Sequence, residues 1–182
     1  MIDINNSKLK KIKFSQINPG CDRKYFINED DIRTVLSRIP YENWQMLKAV
    51  HLNDKGQGVR ILGYVTQGRR EIALCALPPR VSLTRFLLKH QAPAMFGAKR
   101  GEQWNKIAIR RYLLYDVFLH ELGHLQIVDE NAKSIRRKFA SETIAQEFAD
   151  YWREFLWQQD FSHPDPVHNP PQNKIEVSNN TR

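Results

Sequence analysis

Cysteine and long apolar runs are both scarce in this chain of 182 residues. The two cysteines, Cys21 and Cys75, have neither the paired spacing of a metal-binding motif nor the framework of a disulfide-rich domain, which favours a reducing compartment. No stretch of about 18 apolar residues occurs, and the lysines near the N-terminus are not followed by an apolar segment. These absences argue against a membrane protein or a secreted one, and they predict a cytoplasmic location.

Acidic residues are fewer than basic ones, 20 against 28, which gives a net charge of +8. The basic residues occur in short, separated groups, and no stacking-aromatic or helix-turn-helix motif accompanies them. The charge therefore favours a solvated surface or an acidic partner, with nucleic acid as a less favoured alternative. No feature of the sequence indicates an oligomeric state.

The length fits one domain with two tails. Residues 1–27 are polar and contain the sequence "NPG", which predicts a flexible N-terminal arm. Residues 28–160 carry the apolar periodicity of an ordered domain. Residues 161–182 are rich in Pro and Asn, and this tail is expected to be disordered or to dock along the domain surface.

Local patterns predict a mixture of helices and strands. The segment "NEDDIRTVLSRIP" has the start and stop signals of a short amphipathic helix. Further helices are predicted from Trp104 to about Val128 and from Ser134 or Ser141 to Trp157. Three β-leaning runs separated by turn residues predict a small, mostly antiparallel sheet; they are "MLKAVHLND", "VRILGYVTQ" and "EIALCALP". The last run is also a candidate edge for an extended peptide.

The segment "YDVFLHELGHLQIV" places ionisable residues in the middle of an apolar helix. His120 and His124 are one helical turn apart on the same face, a spacing that lets two imidazoles bind one Zn²⁺. Glu121 lies about 100° round the helix and is placed to reach a water at that metal. Asp116, one turn before His120, either orients that histidine or makes a local polar contact.

A catalytic zinc site takes a third protein ligand and leaves its fourth position to water. The candidates for this ligand are Glu130, Glu142, Glu147, Asp150, His163 and His168. The apolar face of the last helix contains Ile144, Ala145, Phe148, Ala149, Trp152, Phe155 and Leu156. Glu142 lies at the edge of that face and is the favoured ligand, with Gln146 one turn later as a hydrogen-bonding partner. Glu147 lies further towards solvent and is the alternative.

Together, "HELGH" and "ETIAQEFA" resemble the Glu-zincin metallopeptidases, in particular the ImmA/IrrE-like group, whose second helix carries the pattern E-x-x-A-N-x-F-A. The matching residues are Glu142, Ala145, Phe148 and Ala149, and Gln146 stands where Asn is usual. The resemblance covers about residues 115–150. It implies an α+β, zincin-like fold in which a small sheet packs on a central HExxH helix and on a second helix bearing the glutamate ligand.

The site and the resemblance together imply a zinc metallopeptidase that cleaves a protein or peptide substrate, as an endopeptidase rather than an exopeptidase. A single Zn²⁺ activates the attacking water, and Glu121 acts as the general base. Several residues remain open as stabilisers of the oxyanion, among them Tyr112, Tyr151, His90 and His163. The alternative is a catalytically weak or inactive binding or regulatory protein on the same scaffold, acting on an acidic or nucleic-acid-associated partner.

Overall fold

The computed structural model describes residues 4–55, 61–78, 84–85, 87, 92–127 and 135–172. Over these residues the chain has an α+β architecture, with four helices and a small mixed sheet. No helix in these ranges is both long enough and apolar enough to cross a membrane.

The segment before residue 28 is part of the fold, so the expectation of a flexible arm was wrong for residues 4–27. Helix α1 spans Ile4–Leu9, strand β1 spans Lys13–Gln16, and Leu9 and Ile12 are buried. An edge strand is held by backbone hydrogen bonds to one neighbour and needs no continuous apolar run. The lysines on either side of these apolar positions obscured the pattern.

Helix α2, Glu29–Ser37, begins where the sequence predicts. The Asn28 side chain accepts a hydrogen bond from the Asp31 backbone N–H, and the Asp31 carboxylate accepts one from the Asn28 N–H, both at 3.0 Å. This reciprocal capping box satisfies backbone donors that the first helical turn leaves unpaired. The helix buries Ile32, Val35 and Leu36 completely against the core.

The sheet is mixed rather than mostly antiparallel as predicted. Its strands are β1, β2 (Ala49–Asn53), β3 (Gly63–Thr66) and β4 (Glu71–Cys75), in the spatial order β1-β2-β4-β3. The β1–β2 and β2–β4 pairings are parallel, and only β3–β4 is antiparallel. The prediction failed because β2 and β3 are consecutive in sequence without being neighbours in space: β4 lies between them.

Helix α3 is one continuous helix with a wide central segment. It is α-helical over Lys106–Tyr112, π-helical over Leu113–Phe118 and α-helical again over Leu119–Leu125. The side chain of Asn105 caps its start by accepting a hydrogen bond from the Ala108 N–H at 2.8 Å. The π segment ends just before the HExxH residues. Short π-helical segments inside α-helices are frequently found at functional sites.

Helix α4, Ile135–Gln158, packs along α3. Residues 161–172 dock against α2 and α3, with Val167 and His168 buried. Of the two alternatives expected for the tail, disorder or docking, residues 161–172 therefore show docking. Residues 173–182 lie outside the described residues.

Candidate metal centre

The two histidines of the HExxH segment face each other across one turn of α3. Their Nε2 atoms are 3.1 Å apart, and their rings are nearly perpendicular with centroids 4.7 Å apart. Both side chains are largely but not completely buried, at 20% exposure for His120 and 15% for His124. The i, i+4 spacing thus brings two nitrogen donors to one point at the surface of the helix.

Close packing of α4 on α3 supplies a third donor. A β-carbon added at Gly123 would lie 2.9 Å from both the Cα and the carbonyl oxygen of Ala145, so only glycine allows the two backbones to approach this closely. One turn before Ala145, the Glu142 carboxylate lies 3.1 Å from His120 Nε2 and 3.5 Å from His124 Nε2. The glycine inside the motif therefore has a structural reason.

The three side chains approach the spacing of ligands around a tetrahedral zinc ion. Ligand atoms about 2.0–2.1 Å from the metal in tetrahedral geometry are about 3.3 Å from one another. The two Nε2 atoms are 3.1 Å apart, Glu142 Oε2 lies 3.1 Å from His120 Nε2, and Glu142 Oε1 lies 3.5 Å from His124 Nε2. With one donor atom taken from each residue, the three atoms lie within 4.8 Å of one another. In the described part of the chain, His120, His124 and Glu142 are the group of His, Cys, Asp or Glu residues whose donor atoms converge in this way. The residues present fit a zinc ion.

Hydrogen bonds behind His120 fix the orientation of its ring. The amide nitrogen of Gln146 donates to Asp116 at 3.2 Å and to Asp150 at 3.0 Å, so its oxygen points at His120 Nδ1, 3.1 Å away. Because that oxygen can only accept a hydrogen bond, the proton of the neutral ring is on Nδ1. The lone pair of Nε2 therefore points towards His124 and Glu142. Asp116 thus reaches His120 through Gln146, and Arg153 holds Asp116 in turn at 2.8 Å.

The other histidine is held from two sides. Ser141 Oγ lies 3.3 Å from His124 Nδ1, and the side chain of Gln67 donates to the His124 carbonyl at 2.8 Å. Burial lowers the pKa of His124 and outweighs the opposing charge of Glu142. His124 is therefore neutral at neutral pH, the form in which an imidazole nitrogen can bind a metal.

Glu121 lies in the wall of the same cleft without being one of the three donors. It is 9% exposed, and a β-carbon at Gly63 of strand β3 would lie 3.0 Å from its Cγ. Burial, and secondly the negative charge of Glu142, raises the pKa of Glu121 to about 7. A second glycine thus makes room beside α3, here for a carboxylate with a strong proton affinity.

Strand β3 forms one side of a cleft of about 800 Å³ above these residues. It is the edge of the sheet, whereas β4, the run suggested as an edge for a peptide, is enclosed by β2 and β3. That suggestion was therefore wrong for β4. Tyr64 and Tyr112 both line the cleft. Sequence reasoning did not single out Tyr64; its place at the cleft depends on the edge position of β3, which no local pattern indicates.

The remaining candidates for the third ligand lie elsewhere. Glu147 is exposed and outside the converging group, and Asp150 bonds to Arg153 and Gln146. His163 and His168 belong to the docked tail and do not line the cleft that the described residues form. Glu130 lies outside the described residues, as does His90 among the candidate oxyanion stabilisers. Tyr151 of that group is exposed and stacks on Phe155.

Comparison with protein-family models, with curated proteins and with solved structures gives no match to the chain. The interpretation of the site therefore depends on the geometry of its own residues.

Proposed function

We propose that the protein is a zinc-dependent metallopeptidase with a zincin-like arrangement of α3, α4 and β3. The observation that supports this most strongly is the convergence of His120 Nε2, His124 Nε2 and the Glu142 carboxylate at separations of 3.1 to 3.5 Å. Two imidazoles and one carboxylate favour zinc over magnesium or calcium, which prefer all-oxygen ligand sets. Three protein ligands are also the number found in catalytic zinc sites, whereas structural sites use four.

A zinc ion bound here would lower the pKa of a water molecule and polarise a substrate carbonyl. The side chains around it have separate tasks. Glu121 takes the proton of the attacking water and delivers it to the leaving amine. Gln146, braced by Asp116, keeps the His120 ring in the tautomer and orientation that a ligand needs. The buried wall around Glu121 excludes bulk water from that proton transfer.

The substrate class follows from the strand beside the cleft. Among the strands that the structure describes, β3 has β4 as its single neighbour, so its outer side carries backbone groups that can pair with an extended peptide, the common mode of strand addition. Because a peptide paired with an edge strand continues past the site in both directions, an internal peptide bond is the expected point of cleavage. This reasoning favours an endopeptidase acting on a protein or peptide.

The test separates metal binding from turnover. Glu121→Gln should retain zinc, measured by inductively coupled plasma mass spectrometry, and should lose cleavage of a peptide library by a factor of at least about 100, the lower range for a general base. The matched control is Glu147→Gln, the same change on an exposed residue of α4. It should leave both zinc content and cleavage unchanged. If the wild type holds zinc but cuts no peptide, the binding or regulatory role replaces the enzymatic one.

A further inference from the structure

Several basic residues that are far apart in the sequence meet at one end of the sheet, where its parallel strands begin. Strands β1, β2 and β4 are parallel, so their first residues lie side by side. The Lys13 N–H donates to the Lys48 carbonyl at 3.0 Å, and the Lys48 N–H donates to the Arg70 carbonyl at 2.9 Å. Lys13 is the first residue of β1, whereas Lys48 and Arg70 stand one residue before β2 and β4. The backbones of three cations from distant parts of the chain thus adjoin one another where the parallel strands begin.

Helix α1 extends this basic row. Lys8 and Lys11 line a cavity of about 360 Å³ together with Lys13 and Lys48. The described residues contain no ion pair that involves any of these four lysines. Glu71, which lines the same cavity, faces His51 Nε2 at 3.4 Å. The cavity therefore concentrates positive charge with little compensation, which favours an anionic ligand.

A second cavity, of about 320 Å³, adjoins the first on the sheet face turned away from the helices. Glu71 lines both cavities. The register places Ser15, His51, Ala73 and Tyr64 in one row across the four strands. The rings of His51 and Tyr64 therefore stand on either side of the small Ala73, about 9.6 Å apart at the backbone. Two further cations, Lys55 and Arg69, line this cavity.

We propose that this surface binds single-stranded nucleic acid, with phosphates along the lysines and bases against the rings of His51 and Tyr64. A basic groove beside planar side chains is the combination that proteins use for unpaired strands. An acidic peptide would satisfy the lysines but would have no use for the rings, and a duplex would keep its base faces stacked inside. The net charge of +8 favours the approach of any polyanion.

The surface does not depend on the zinc chemistry proposed above, and Tyr64, on the edge strand, is the residue that lines both the cleft and this surface. The side chains of His51 and Ala73 project from the sheet face opposite to the one that carries the buried Val50 and Ile72. Loss of metal or of peptidase activity would thus leave the prediction of strand binding intact.

Fluorescence anisotropy with labelled oligothymidylate and oligouridylate of about 12 nucleotides tests the proposal on the full chain. The variant Lys11→Ala/Lys13→Ala/Lys48→Ala should bind at least about tenfold more weakly at about 0.1 M salt, and its plot of log affinity against log salt should lose about two units of slope. The matched control, Lys99→Ala/Arg100→Ala/Lys106→Ala, removes the same charge from exposed positions elsewhere and should bind like the wild type.

A second variant examines the rings without removing a lysine. His51→Ala should weaken binding at least about fivefold while the salt slope stays unchanged, since stacking is not an ionic interaction. If the wild type binds one of the two oligonucleotides more tightly than the other, the proposal is supported and the preferred sugar, deoxyribose or ribose, is identified. Three results would overturn it: no binding by the wild type, equal losses in the two triple variants, or duplex DNA or polyglutamate binding as tightly as the single strands.

Discussion

The protein contains two pairs of neighbouring histidines with the same ring geometry and opposite surroundings. In both His120–His124 and His163–His168 the ring centroids are 4.7 Å apart with planes at 83°. In the tail pair, His168 Nδ1 lies 3.0 Å from the Tyr115 hydroxyl, and His163 Nδ1 accepts from the Asp165 N–H at 3.1 Å. His168 Nε2 lies 3.5 Å from the Asp31 carboxylate. In the cleft pair, the two Nε2 atoms instead face each other at 3.1 Å and face the same carboxylate, that of Glu142.

The two pairs differ in which groups face the lone pairs of the histidine ring nitrogens. Around the tail pair, Arg110 bridges Asp31 and Asp165 at 2.7 Å each, so donors and acceptors are matched within the protein. Around the cleft pair, two imidazoles and a carboxylate share one space, an arrangement that a cation would stabilise. Two close histidines do not by themselves indicate a metal site; the convergence of a third ligand type with them is what the zinc proposal is based on.

Of the changes considered, removal of the Glu142 carboxylate should have the largest effect on the cleft pair. Glu142→Ala should weaken zinc affinity by more than about 100-fold, because loss of a ligand exceeds the effect of losing a partner of a ligand. Zinc competition against a chromogenic chelator measures this. The control, Glu147→Ala, should keep the affinity of the wild type. Loss of zinc in Glu147→Ala with retention in Glu142→Ala would move the third ligand to Glu147.

Gly123→Ala should disturb the same site through packing. The added methyl would meet Ala145 backbone atoms at 2.9 Å, so α4 must move away from α3 and carry Glu142 with it. We expect a loss of about 2 kcal/mol in the free energy of unfolding and a weaker affinity for zinc. Chemical denaturation and chelator competition measure the two effects. Gly68→Ala is the control, since no atom lies within 4 Å of a β-carbon there.

The tail pair should respond in stability alone. His168→Ala removes a buried ring and leaves the Tyr115 hydroxyl and Asp31 with one polar partner fewer each, which should cost about 1–3 kcal/mol in the free energy of unfolding. Zinc affinity should not change. His163→Ala, at the half-buried neighbour, should cost less. A loss of zinc in His168→Ala would contradict the separation of the two pairs.

The smallest effect should be a pH dependence of the tail contact. Burial alone would raise the pKa of Asp31, but the hydrogen bond to His168 and the charge of Arg110 outweigh it and hold the pKa of that carboxyl below its usual range. A carboxyl whose pKa is lower in the folded state stabilises the protein above its ordinary pKa, and that stabilisation is lost as the pH falls through the folded value. Urea unfolding between about pH 5 and pH 2 should therefore weaken less steeply for Asp31→Asn than for the wild type. Equal slopes would contradict this assignment.

Local periodicity was sufficient for the features that lie within one helix. The spacing of His120 and His124 fixes their shared face, and the helical face of Glu142 follows from the apolar residues around it. Periodicity was less reliable at the surface: Ile144 and Phe155, assigned to the inner face of α4, are 50% and 39% exposed. An apolar residue on a long helix need not face the core.

Contacts between distant segments were not predictable in the same way. The parallel pairing of β1 with β2 depends on backbone groups that every sequence supplies, and polar residues around β1 concealed its role. The docked tail depends on Arg110 and Asp31 meeting Asp165 and His168, partners that are 55 and 137 positions apart in the sequence. Composition alone indicates disorder for such a segment.

X-ray absorption spectroscopy at the zinc edge on the purified full chain measures the proposed coordination directly. We expect near-stoichiometric zinc with two imidazole nitrogens and oxygen ligands at about 2.0–2.1 Å and no sulfur, and Glu142→Ala should lose this signal. Absence of zinc after reconstitution, or a zinc–sulfur shell at about 2.3 Å, would contradict the assignment of His120, His124 and Glu142 as the metal site.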